Sequence, residues 1–344
     1  MDGPGSFPTV SHDRPGGMDS RPVPTGMSNE SRIRVELYEQ KYKAQWDEFV
    51  RQSKNGVFLF YRDYMEYHAH RFSDFSLLFF QGSELIALMP ANRDGDMAVS
   101  HGGLTFGGVV SDASMTTSRM LEVFSALVDD LRARGVKKLV YKVIPHIYHL
   151  LPAEEDLYAL FVHGARLYRR DVSSTVVAAR KLPLARNRER VLESARCRGL
   201  SVQCTPDVSR FMSIVEGNLQ ARYRVSPVHT ASEMQRLADR FPDNINLFTV
   251  DQGGETLGGV LIYESENVAH WQYRHATEKG MEVGALDFIT DVILNDLYRD
   301  KKYVDFGIST LDDGHTLSTG LIRNKEGYGA RATVCDFYEL NLET

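Results

Sequence analysis

Apolar residues recur with a period of two over short runs and at steps of three and four over longer ones, so strands and helices alternate from about residue 33 onward. Residues 33–52 read as a strand followed by a helix. Residues 75–80 and 84–89 flank Gln81-Gly82-Ser83 and read as a strand, tight turn, strand. Met120, Leu121, Phe124, Leu127, Val128 and Leu131 mark one face of a helix ended by Gly135. A short β-rich run, 139–144, stops at Pro145, and Pro152 opens a helix with Glu154, Glu155 and Asp156 at its favourable N-terminal end. A strand over 169–179 completes this part. The second part repeats the order: residues 247–250, Gly253-Gly254 and 257–263 form a hairpin, and 268–277 another strand. A helix over 282–299 and a strand over 303–309 follow.

This repetition predicts two α/β units. At 344 residues the chain suits two domains better than one. The boundaries expected are a Pro-, Gly- and Ser-rich disordered leader over 1–32, a first domain over 33–180, a basic linker and helix over 181–205, and a second domain over 206–344. Charged residues at 25% and hydrophobic ones at 42% are ordinary globular usage. A net charge of -6 offers no global field for DNA. Three cysteines without close pairing argue against a disulfide framework or a zinc site, so no metal is expected. No run nears the roughly 20 apolar residues of a membrane span, and a cytoplasmic location is expected.

Candidate chemistry gathers in a few places. Alternation along 268–277 sets His270, Gln272 and Arg274 on one face and Trp271, Tyr273 and His275 on the other. His270 suits a general base and Gln272 an orienting group; a hydrogen-bonded structural histidine fits the same pattern. Asp305 and Ser309, four apart with Gly307 between them, share a face and suit handling of an acceptor ammonium, while a strand-start Asp can also bond nearby backbone. Lys279, Gly280, Gly284 and Ala285 precede or open a helix whose free N–H groups suit a phosphate; a plain loop-to-helix junction looks alike. Tyr148, His149, Arg169 and Arg170 are candidates for the acceptor, the arginine pair matching a diphosphate or carboxylate. The run from Arg180 to Arg198 is either a solvated helix face or a phosphate-binding strip.

Three stretches carry a family resemblance: Pro145-His146-Ile147-Tyr148-His149 with Arg169-Arg170-Asp171-Val172-Ser173-Ser174; Val268-Ala269-His270-Trp271-Gln272-Tyr273; and Gly320-Leu321-Ile322-Arg323-Asn324-Lys325-Glu326-Gly327-Tyr328-Gly329. The chain resembles the tandem-domain, Fem-like acyltransferases of the GNAT type over roughly 35–340. The resemblance implies two acetyltransferase-like α/β (α+β) domains, each a mixed central sheet flanked by helices and splayed near its middle to admit the donor. It implies an N-acyltransferase moving an acyl group from an acyl-CoA such as acetyl-CoA to a small-molecule amine or nucleotide-linked amino sugar. The alternative is an aminoacyl-tRNA-dependent transferase, with tRNA as partner. A non-catalytic binding module is the third reading. Lys325 resembles the signature lysine that holds phosphate or stabilises the reacting carbonyl. The glycines of 279–285 stand four apart, which departs from the family's phosphate loop.

Overall fold

The computed structural model of the chain describes residues 32–343; the expected leader, but for its last residue, lies outside them. Two antiparallel hairpins seed the two units, Leu77–Gln81 with Glu84–Met89 and Ile245–Gln252 with Glu255–Glu264. Both join strands rich in β-branched, aromatic and leucine residues across a glycine turn at positive φ, Gly82 in one and Gly253-Gly254 in the other. The first hairpin belongs to a sheet of four strands with Ile33–Leu37 and Val110–Ser111.

The helix Thr117–Ala133 begins where the Thr116 side chain accepts from the Arg119 N–H, and buries Met120, Val123, Phe124, Leu127, Val128 and Leu131. Each such side chain contributes about 1.5–3 kcal/mol on leaving water. The helix expected over 282–299 is broken into Glu278–Glu282, Ala285–Val292 and a wide turn at Ile293–Leu297. Gly284, at φ 76, makes the first break. Helices Ser209–Tyr223 and Ala231–Arg240 and strand Ser201–Thr205 were not among the expected elements.

An eleven-stranded mixed sheet runs through both units. At its centre, Tyr303–Ile308 pairs antiparallel with Arg166–Val177 of the first half, which pairs in turn with the final strand, Arg331–Asn341. That final strand then pairs with Lys138–Lys142. The last strand of the chain therefore completes the sheet of the first half. One face of the central strands carries the core shared with the first half, including Phe58, Phe106, Tyr148 and Tyr263. The other carries Val304, Phe306, Trp271 and Tyr328 against the helix Ala285–Val292. Among the described residues no helix is long and apolar enough to cross a membrane.

Candidate active site

The parallel strands Val268–Ala276 and Tyr303–Ile308 pair at three positions only, the last joining His270 to Asp305. Beyond that point they part. Two irregularities pull them away from one another. Leu261 pairs with Tyr273 but Ile262 with Trp271, so Gln272 is an extra residue bulged out of the ladder. On the other strand the register against Arg166–Val177 slips between Asp305 and Ile308, where Gly307 takes φ 75.

At the fork His270 Nδ1 lies 2.7 Å from Asp305 Oδ2. Asp305 is buried and its other oxygen accepts from the hydroxyls of Ser173 and of Thr175, the latter at 3.2 Å. Burial alone would raise this carboxyl, but the His270 hydrogen bond and charge, with the two hydroxyls, hold it below its ordinary value. An ionised Asp305 requires a proton on Nδ1, which leaves Nε2 as the basic nitrogen. His270 lines a cavity between the halves with Phe58, Phe106, Tyr148 and Tyr263.

Lys325, on the helix Thr319–Glu326, closes the fork from beyond Gly307. Its Nζ donates to the carbonyls of Gly307 and Ile308, 2.7 Å each. Burial lowers this ammonium to about 8, opposed by Asp305 and assisted by Arg274. Among the buried polar atoms without a hydrogen-bond partner, Trp271 Nε1 and Arg274 Nε lie on one strand of the fork, Ser309 Oγ just past the end of the other and Ser174 Oγ on the neighbouring strand; the rest lie in the first half. In the first half, the place past the parallel pair of Met97–Val99 with Lys138–Lys142 is filled by the chain itself. The Tyr141 hydroxyl accepts from the Val109 N–H and donates to Asp156, and Lys142 Nζ donates to the carbonyls of His101 and Leu104.

Several expectations need correction. The bulge at Gln272 resets the alternation, so Trp271 and Arg274 share the face of Tyr328 while His270 shares its face with Tyr273. Arg274 is thereby moved off the face of His270. The slip at Gly307 likewise turns Ser309 to the face opposite Asp305. Gly280, Gly284 and Ala285 are buried. A Cβ on Gly284 would lie 2.8 Å from Val191 of the linker helix Arg186–Arg196, and one on Gly280 would meet the Leu257 carbonyl. Lys279 is exposed and paired with Glu255. These glycines permit close packing, and the helix N-terminus behind them already holds Asp287, which accepts from Arg188 and Tyr328.

Among the acceptor candidates, Tyr148 lies in the His270 cavity, its hydroxyl raised by burial and by the Asp305 charge. His149 turns its ring onto the Ile144 carbonyl, 3.0 Å away. Arg169 and Arg170, adjacent on a strand, project to opposite faces and cannot grip one diphosphate together. Arg169 pairs with Asp171 and Asp313, and Arg170 with Asp336. Arg188 and Arg196 of the basic linker turn to Asp287 and Asp291. Sequence reasoning missed Ser173 and Thr175 as supports of Asp305. Three successive hydroxyl residues inside an expected strand were the available signal.

Among solved structures the chain is similar to FemX, with a TM-score of 0.61 and 10% identity over 88% of this chain and 96% of that one. It is similar to L-PGS from Bacillus licheniformis, TM-score 0.57 and 11% identity over 88% and 91%. The C-terminal domain of a putative lysylphosphatidylglycerol synthetase from Agrobacterium fabrum gives 0.58 and 12% over 88% and 92%. No protein-family profile and no curated protein sequence matches the chain. The fold is that of FemX and of these synthetase structures, α/β units built on a large mixed sheet.

Proposed function

We propose that the protein is an N-acyltransferase whose chemistry takes place at the fork between His270 and Asp305. The observation that carries this reading is the hydrogen bond between buried Asp305 and partly buried His270 at the place where the parallel strands of the second half part. An acceptor ammonium loses one proton to solvent, and as the freed amine attacks the donor's ester or thioester carbonyl its nitrogen gives a second to His270 Nε2. A C–N bond forms and the C–O or C–S bond breaks; the proton held by His270 passes to the leaving oxygen or sulfur. Asp305 keeps the imidazole in the required tautomer, and Lys325 offers its remaining N–H to the carbonyl oxygen as charge develops.

The donor is of the aminoacyl-ester type, the Fem-like reading, rather than acyl-CoA. Support comes from the helix Ala285–Val292, whose N-terminus at Gly284 is covered by the linker helix and whose first turn already carries the carboxylate of Asp287. FemX and the lysylphosphatidylglycerol synthetase domain share the fold. Single-turnover transfer from aminoacyl-tRNA and from acetyl-CoA to a panel of amines tests both parts. Transfer is expected from the ester donor, falling by about 10²–10⁴ in His270→Gln. Equal rates with acetyl-CoA would remove the donor assignment, and an unimpaired His270→Gln would remove the base.

A further inference from the structure

The Lys325 ammonium is held by the carbonyls of Gly307 and Ile308, and these sit at the slip in register against Arg166–Val177, where ladder pairing is interrupted. What fixes the chain just past them is a set of contacts to residues 169–172 of the first half. The Ser309 N–H donates to the Val172 carbonyl at 2.7 Å, and the Thr310 hydroxyl donates to Asp171 Oδ1 at 2.7 Å. The other oxygen of Asp171 accepts from Arg169, 2.9 Å from Nε and 2.8 Å from Nη2. Arg169 Nη1 then reaches Asp313 Oδ1 at 2.8 Å, in the turn that joins Thr310–Leu311 to Thr316–Leu317. In the same turn a Cβ on Gly314 would lie 2.3 Å from the Arg170 carbonyl oxygen, so the hairpin is pressed onto that strand. The Ser318 N–H donates to the Ser309 carbonyl, which ties the start of the helix Thr319–Glu326 to the same point.

We propose that Asp171 and Thr310 are positioning residues, whose hydrogen bond fixes the segment from Gly307 to Thr310 and so aims the Lys325 ammonium into the fork. Both act through Lys325, on the reading given above that its ammonium meets the oxygen on which charge develops. Asp171 is only 2% exposed, and a carboxyl group withdrawn from water is tolerated where each oxygen has a partner. One oxygen is committed to the second half through Thr310 and the other to Arg169, so the residue joins the two halves at the place where the lysine is set. An ammonium that must meet a developing charge gains from being held in advance, because a small misplacement weakens the contact in the transition state more than it weakens substrate binding. Removing the Thr310 hydroxyl leaves Asp171 Oδ1 without its donor and frees the chain that carries the two carbonyls.

The test follows Lys325 itself in the full chain, by NMR titration of the lysine side-chain carbons with Lys325→Met to assign the signal, beside steady-state transfer rates. In the unaltered chain the ammonium, buried near Asp305 and Arg274, titrates at about 8. Thr310→Val keeps the shape of the side chain and removes the hydroxyl. It is expected to let water reach the ammonium, moving the titration up by about one pH unit toward its ordinary value. It is also expected to lower kcat about ten- to a hundredfold with KM for the amine unchanged. Thr310→Ser, which keeps the hydroxyl, should restore both. Arg166→Gln breaks a largely exposed ion pair with Glu339 on the same strand and should change neither. A folded Thr310→Val protein with an unmoved Lys325 titration overturns the proposal, whatever its rate, as does a Thr310→Ser protein that behaves like Thr310→Val. A titration that moves in Thr310→Val and returns in Thr310→Ser, in a chain that transfers from no donor, would sink the transferase reading and leave the positioning of Lys325 standing.

Discussion

Lys325 is the residue whose surroundings say most about pH. Its ammonium is buried beside Arg274 and held by two carbonyls instead of a carboxylate, and the folded protein lowers it from 10.5 to about 8. Activity that needs its charge should decline on the alkaline side with an apparent pKa near 8. Stability runs the other way: between about 8 and 10.5 the unfolded chain binds more protons at this residue than the folded one, so its contribution to stability rises with pH. Lys142, also lowered to about 8 by burial, adds to that stability trend but not to the activity limb. Lys325→Arg should therefore shift the alkaline limb upward, and Lys325→Met should abolish it and slow turnover by about 10²–10³. Lys142→Met should leave the limb in place. Rate profiles from pH 6 to 10, read beside melting curves, decide this; an unchanged limb in Lys325→Arg would show that another group titrates. A second expectation concerns Asp305, whose carboxylate fixes the tautomer of His270. Asp305→Asn keeps the shape and the two hydroxyl contacts but removes the charge, so turnover should fall by about 10²–10⁴ while donor affinity holds. A variant with wild-type turnover would reduce Asp305 to a structural role.

At the level of elements, the sequence and the structure agree where a pattern is local and part where a partner comes from far away. The hairpins at 77–89 and 245–264 and the helix over 117–133 follow from periodicity, turn glycines and caps, all contained within a few residues. The faces of the two site strands do not. Nothing in Val268 to Ala276 reveals that Gln272 bulges, because the bulge is a property of pairing with Glu255–Glu264. The anchoring of Asp305 depends on Ser173 and Thr175, more than a hundred residues earlier. His270 and Asp305 are legible as candidates because of polar side chains at alternating positions on expected strands, and Lys325 through the resemblance of its glycine-bounded segment to the family signature. Their mutual geometry is not, and the phosphate-loop reading went astray because a buried glycine looks the same in sequence as one that cradles an anion. Gly284 makes this concrete. Its φ of 76 and its approach to Val191 and Ala195 give two separate reasons for glycine. Gly284→Ala should lower stability by about 1–3 kcal/mol through left-handed strain and crowding of the linker helix. Urea denaturation measures it, and a loss within about 0.5 kcal/mol would mean that the linker helix packs more loosely.

Across the whole molecule, the path of the final strand ties the halves together. Arg331–Asn341 follows the second half in sequence but lies between Arg166–Val177 and Lys138–Lys142 of the first, while Arg166–Val177 also pairs with Tyr303–Ile308. A fragment ending in the basic linker would leave Lys138–Lys142 paired on one side only, with Met97–Val99, and expose both long edges of Arg166–Val177. It would also lack Leu340 and Leu342, which are buried in the core of the first half. The complementary fragment would lose the strand on which Tyr303–Ile308 is laid, and with it the hydroxyls that fix Asp305. Residues 33–205 and 206–343, expressed separately, should therefore be insoluble or lack cooperative unfolding, whereas co-expression should restore one complex. Calorimetry of the intact chain should show a single transition rather than two, since neither half completes its sheet alone. Fusing residues 331–343 to the end of the first fragment through a flexible linker is the sharper test. That fusion should recover solubility and a cooperative melt for the first half, because it returns the missing strand, but no transfer activity, because His270 and Lys325 remain absent. If the fragment without the strand folds cooperatively by itself, the shared strand is an addition to a domain already complete, and the two halves are independent units after all.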